Sequence, residues 1–76
     1  MIELITYIAQ SLVEDPSKVV VKEAGEKNGA IVYQLSVSEE DMGRVIGKQG
    51  RIAKAIRSVA KAAASRKGKK VIIDIV

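Results

Sequence analysis

One stretch of this chain gathers the residue types that can hold an anion: Gly43-Arg44-Val45-Ile46-Gly47-Lys48-Gln49-Gly50-Arg51-Ile52. Gly47 and Gly50 bracket two polar residues, Lys48 and Gln49. A glycine has no Cβ, so its backbone can approach a bound group closely. Arg44, Lys48 and Arg51 set three cations around that backbone. A helix starting at Gly50 would add its unpaired N–H groups and its positive dipole end. Together these features suit a chain of phosphates.

Two phosphate motifs of strict spacing do not fit. The nucleotide-binding P-loop has four residues between its first glycine and the Gly-Lys pair, then Ser or Thr. Here three residues separate Gly43 from Gly47-Lys48, and Gln49 follows. The dinucleotide-binding turn joins a strand to a helix. The turn read here joins a helix to a helix.

Catalytic chemistry is poorly supplied. The chain has no His and no Cys, which removes the commonest general base, thiolate nucleophiles and the usual zinc ligands. No carboxylate constellation lies beside the glycine loop in sequence. A chain of 76 residues also leaves little volume for a buried substrate pocket. We therefore expect no catalytic residue, no metal and no cofactor.

The loop sits at a charge boundary. Residues 1–42 carry three basic and eight acidic groups, a balance of −5, while residues 43–76 carry ten basic groups and one acid, a balance of +9. A basic half of that density is the electrostatic footprint of a polyanion binder. The same cations could also serve as a solvated helix face. No apolar run approaches the roughly 20 residues that span a bilayer, and the N-terminus shows no basic region followed by an apolar run, so no signal peptide is expected. The expectation is a soluble cytoplasmic chain, residues 1–76 forming one domain with no membrane contact.

The elements that must position the loop can be read from periodicity. Ile2, Ile5, Ile8, Ala9 and Leu12 recur at helical spacing, and Asp15-Pro16 ends that helix. Val19-Val20-Val21-Lys22-Glu23 reads as a strand, Gly25 to Gly29 as a turn, and Ile31, Tyr33, Leu35 and Val37 as alternate residues of a second strand. Ser38-Glu39-Glu40-Asp41 starts a short helix, with Ser38 as cap and three carboxylates at the positive dipole end. A second helix is predicted over about 50–66, with Ile52, Ile56, Val59, Ala60 and Ala63 as its core face. Ala55, Ala62 and Ala64 flank that face, and Lys54, Arg57 and Lys61 lie opposite it. Gly68 is the candidate C-terminal cap. Val71 to Val76 is a last strand, whose nearly continuous apolar run predicts burial on both faces or an apolar binding surface. Two helices between the second and third strands permit a parallel crossover. The predicted fold is α+β: a three-stranded mixed sheet, ordered first–second–third, covered on one face by three helices.

Val45-Ile46-Gly47-Lys48-Gln49-Gly50-Arg51-Ile52 resembles the signature of the KH domain, a module that clamps about four nucleotides of single-stranded nucleic acid with a GXXG loop. The element order, helix-strand-strand-helix-helix-strand, is similar to the type II KH arrangement. Length and the wider run from Asp41 to Arg51 look closest to the small stand-alone bacterial RNA-binding KH proteins of the KhpA family. That resemblance covers the whole chain. It implies a non-enzymatic, sequence-tolerant binder of single-stranded RNA, acting as an RNA chaperone or post-transcriptional regulator. Gly47, Lys48, Gln49 and Gly50 would contact the sugar-phosphate chain, with Arg44, Arg51 and Lys54 beside them. Val45, Ile46 and the last strand would border the groove for the bases; which of Val45 and Ile46 faces it stays open. The resemblance further implies a homodimer, or a heterodimer with a larger KH-domain protein of the KhpB or Jag type. Two other readings remain: a DNA-binding helix-turn-helix with the glycines in its turn, and a protein-interaction module with a basic helix.

Overall fold

The computed structural model describes residues 1–76, with the side chain of Lys48 outside the described set. Helix α1 (Ile2–Leu12) turns Ile5 and Ala9 inward. Beyond it Asp15-Pro16 bars a longer helix, and Pro16–Lys18 form a single 3-10 turn that periodicity did not foretell. Strands β1 (Val20–Lys27) and β2 (Ala30–Ser36) pair antiparallel, from Val20 opposite Ser36 to Lys27 opposite Ala30.

The expected turn needs correction. Gly25 belongs to β1, at φ 103°, where the register slips between Glu23 and Glu26. The turn is Asn28-Gly29 alone, at φ 52° and 82°. Two left-handed central residues make the type I′ turn, whose twist matches that of a hairpin.

The run Glu39–Arg66 is helical throughout its 28 residues, yet it is not one rod. A straight helix of that length would span about 42 Å, more than the 33 Å long axis of the whole molecule. The break lies at Gln49 and Gly50, which stand in the left-handed region at φ 64° and 68°. We call the two arms α2 (39–48) and α3 (51–66). Helix α3 closes as a Schellman motif: Gly68 takes φ 68°, its N–H reaches the Ser65 carbonyl at 3.0 Å, and the Lys69 N–H reaches Ala64 at 2.9 Å. Strand β3 (Val71–Ile75) then pairs parallel to β2, Ile31 opposite Val71 through Leu35 opposite Ile75. The sheet order is β1-β2-β3. This is the α+β architecture and the element order expected of the type II KH arrangement.

The core lies between the sheet and the helices. Ile5 and Ala9 of α1, Tyr33 and Leu35 of β2, Ile56, Ala60 and Ala64 of α3, and Val71 and Ile73 of β3 form one buried cluster. Burying a side chain such as Leu35 or Ile56 stabilises by about 1.5–3 kcal/mol. Of the two readings of strand β3, burial on both faces is corrected: the strand alternates, with Val71 and Ile73 buried and Ile72 on the open side of the sheet. The expected core face of α3 is corrected as well. The core face of α3 is Ala53, Ile56, Ala60 and Ala64, while Val59 is 45% exposed. Three of those four positions are alanine, and Val59, one residue before Ala60, lies about 100° away from it around the helix.

At 100° per residue α3 therefore presents three faces. One is the core face. A second carries Lys54, Arg57 and Lys61, all exposed. The third carries Ile52, half-buried, with Ala55, Val59 and Ala62, all exposed.

Candidate nucleic-acid interface

The start of α2 is fixed by a carboxylate. Ser38 caps the helix, its Oγ accepting the Asp41 N–H at 3.1 Å while its hydroxyl donates to Asp41 Oδ2 at 2.9 Å. The same carboxylate accepts the backbone N–H of Glu14 at 3.0 Å and of Asp15 at 2.9 Å. Asp41 is 2% exposed and thereby ties the end of α1 to the beginning of α2. The N–H of Glu14, and then that of Asp15, hold its carboxyl below the usual carboxylate range; Ser38 and Arg44 act the same way, against the opposing effect of burial. Arg44, one turn on, makes an ion pair with Glu14. That hydrogen bond and charge raise the Arg44 pKa further, so the guanidinium stays ionised at any working pH.

The far end of α2 is built differently. Gly43 and Gly47 stand one turn apart on this arm. A Cβ on either would meet no described atom within 4 Å, and neither has a positive φ. Glycine inside a helix costs roughly 0.5–1 kcal/mol relative to alanine, and nothing within the fold requires that cost here. Gly50 differs, because its φ of 68° lies in the region that disfavours a side chain. Gln49 holds a comparable φ with a side chain. Such conformations cost on the order of 1–3 kcal/mol and cluster at ligand clamps.

Gly43, Arg44 and Gly47 of α2, with Arg51 and Ile52 of α3, line one groove in the crook between the arms. Two of its α2 residues are glycines, and Arg44 and Arg51 are its charged members. Gln49, Arg51 and Lys54 are exposed around the break. Lys48 falls within the helical run, but its side chain lies outside the described residues. The two apolar neighbours separate cleanly: Val45 is 0% exposed and Ile46 is 61% exposed. Val45 thus supports α2 from within, and Ile46 is the member of the pair presented to solvent.

Two contacts near this site carried no warning in the sequence. Glu14 faces Arg44 from 30 positions away in the chain. Arg57 donates its Nε–H to the carbonyl of Ile73 at 3.3 Å, which turns the cationic face of α3 toward β3. Among the described residues no group of three or more acidic side chains is placed to hold a metal ion, and no helix is long and apolar enough to cross a membrane.

Comparison with known proteins agrees with this fold. The family model described as the KH domain of KhpA/KhpB matches residues 2–75. The chain is 57% identical to the RNA-binding protein KhpA of Clostridium perfringens, with both chains covered in full. It is 43% identical to the protein of that name from Chlamydia trachomatis, covering 99% of this chain and 95% of the relative. A crystal structure of Aquifex aeolicus Era bound to GDP·AlF4⁻ superimposes with a TM-score of 0.74 at 24% identity, over 97% of this chain and 28% of that one, which speaks to the fold alone. KH domains are binding modules without catalytic machinery of their own. With a match across essentially its whole length and relatives at this identity, the chain belongs to the KhpA/KhpB family of KH domains.

Proposed function

We propose that this chain is a sequence-tolerant single-stranded RNA-binding protein, working in the cytoplasm as an RNA chaperone or post-transcriptional regulator. It grips the RNA backbone at the loop 47–50. One observation carries the reading: Gly43 and Gly47 cost helix stability with no neighbour that needs them, beside a left-handed break at Gln49 and Gly50. Something from outside the chain comes close to that backbone. The cations Arg44, Arg51 and Lys54 around it favour a phosphodiester. Lys48 belongs to the proposed clamp by its place in the sequence, and Ile46 offers an apolar contact to a base. The relatives named RNA-binding protein KhpA support the same ligand class.

The test is a titration of matched single-stranded RNA, duplex RNA and duplex DNA at several salt concentrations. Three or four phosphate contacts should give a slope of log K against log salt of about −2 to −3 on the single strand. A flat slope, or a preference for duplex, would overturn the reading.

A single groove for about four nucleotides binds weakly, and two linked grooves bind far more tightly through effective concentration. We place the second groove on another molecule, in a homodimer or in a heterodimer with a larger KH-domain protein of the KhpB type. The supporting face is Ile52, Ala55, Val59 and Ala62 on α3, whose spacing of three, four and three follows a coiled-coil seam. Ala55→Glu or Ala62→Glu should give a folded monomer with weaker RNA binding. A parent that sediments as a monomer at high micromolar concentration would remove the homodimer.

A further inference from the structure

The two arginines of the groove between α2 and α3 stand in different electrostatic surroundings. Arg51 is exposed and, among the described residues, has no acidic partner. Arg44 is paired with the Glu14 carboxylate, and the carboxylates of Asp41 and Glu40 lie near enough to bear on its charge. A phosphodiester can approach Arg51 directly. At Arg44 it meets an anion already in place.

The backbone fixes Glu14 at this spot. Its N–H donates to Asp41 Oδ1 at 3.0 Å, and the Asp15 N–H donates to Oδ2 at 2.9 Å. Asp41 lies one turn before Arg44 on α2, so this clamp sets residue 14 beside the guanidinium. The clamp uses the backbone of Glu14 and would form with any other non-proline residue there. The carboxylate itself therefore has no task in the fold except Arg44. That pair is open to solvent, with the Arg44 side chain 57% and the Glu14 side chain 72% exposed, and an exposed pair adds little stability. The neighbouring acid differs: Asp15 accepts a hydrogen bond from the Ser17 hydroxyl at 2.6 Å and so belongs to the 3-10 turn.

The ion pair and the anion site thus share one guanidinium. Its fork of N–H donors fits a carboxylate and a phosphate equally well. A phosphate arriving at Arg44 must draw the guanidinium away from Glu14, and the freed carboxylate then repels it. Beyond this point the surface turns acidic, since Glu14 borders a depression with Asp15, Glu39, Glu40 and Asp41.

We propose that the Glu14 carboxylate competes with the RNA phosphate for Arg44: it holds the guanidinium while the groove is empty and yields it when the strand binds, which keeps the affinity of the groove below what its two arginines allow. This rests on the RNA-binding reading above and gives that site a residue, from the end of α1, that limits its grip.

The experiment compares parent, Glu14→Gln, Arg44→Gln, the double variant Glu14→Gln/Arg44→Gln and Gly47→Asp on one single-stranded RNA, by fluorescence anisotropy across a salt series. Glutamine keeps the backbone N–H that Asp41 accepts, so Glu14→Gln should unfold at nearly the parent's temperature. Breaking an exposed pair accounts for a few-fold in affinity, and relief of the carboxylate–phosphate repulsion adds to it. Glu14→Gln should therefore bind about three- to tenfold tighter than the parent near about 50 mM salt. Its slope of log K against log salt should be steeper by about 0.7, the value of one more fully neutralised phosphate. In the Arg44→Gln background the same change should gain less than about twofold, because no guanidinium is left to release. Unchanged or weaker binding by Glu14→Gln would overturn the competition. An equal gain with and without Arg44 would overturn it as well, since that is an effect of net charge alone. Undiminished binding by Gly47→Asp would instead overturn the loop, so the two failures are told apart.

Discussion

The two ends of α2 lie less than three turns apart and obey opposite rules. At its start the buried carboxylate is answered from within the chain: Ser38 and Asp41 bond each other, and Asp41 also holds the N–H groups of Glu14 and Asp15. At its far end Gly43 and Gly47 leave open space, and Gln49 keeps a left-handed backbone without being glycine. The first end is complete without a ligand and reads as structure. The second costs stability and contains nothing that repays it, which is how a surface kept for a partner looks in isolation. Type and position alone do not separate the two, since both are short polar segments on one helix.

The contrast can be broken most severely at the open end. Gly47→Asp sets a carboxylate where the phosphate is expected and fills the space the backbone left. RNA affinity should drop at least a hundredfold while the circular dichroism spectrum stays that of the parent. Undiminished affinity would show that the vacant helix surface is not the binding surface.

At the closed end the damage should fall on stability instead. Ser38→Ala removes the cap and should cost about 1 kcal/mol, lowering Tm by roughly 4–8 °C, with RNA affinity of the folded protein nearly unchanged. Acid attacks the same clamp. Because Asp41 titrates below its unfolded value, its contribution is fully present above the ordinary carboxyl pKa, near 3.9. It is lost as pH falls from there through the lowered folded value. Asp41→Asn should therefore flatten the acid limb of a plot of Tm against pH, and an unchanged limb would mean that other carboxylates set it.

The smallest effect sharpens the comparison most. Gly43→Ala and Gly47→Ala should each stabilise the fold by roughly 0.5–1 kcal/mol, yet weaken RNA binding severalfold. A denaturant titration and a binding titration on the same samples check both signs. Alanine variants that are more stable and bind equally well would show that the glycines have no ligand to serve.

How much of this was legible in the sequence depends on how far apart the interacting residues lie. Element order followed from local signals: alternation at Ile31, Tyr33 and Leu35, the Asp15-Pro16 stop, the Ser38 cap and the Gly68 terminus. The sequence predicts the hairpin but places its turn too early, because glycine marks a bulge at Gly25 and a turn at Gly29 with the same letter. On α3 hydrophobicity ranks Val59 above Ala53 and Ala64, whereas the buried residues are the two alanines. At the site, the Gly-Lys-Gln-Gly run was visible as a break between helices, as the φ values of Gln49 and Gly50 bear out. The partners of Asp41 and Arg57 were not visible, because they are backbone groups of Glu14, Asp15 and Ile73. A backbone N–H or carbonyl is present at nearly every position and leaves no mark in composition.

The Arg57 contact also bears on how long the protein can be kept in solution. A sheet of three strands has two free edges, and an edge is a template for another chain to polymerise on. The β1 edge is interrupted at Gly25 and studded with Lys22, Glu23, Glu26 and Lys27. The β3 edge has only one charged residue, Asp74, in its five positions. What stands across it is the guanidinium of Arg57, occupying the Ile73 carbonyl that an incoming strand would need. The arginine thus acts as a stopper against fibril growth, and removing it would shorten the time a concentrated sample stays clear.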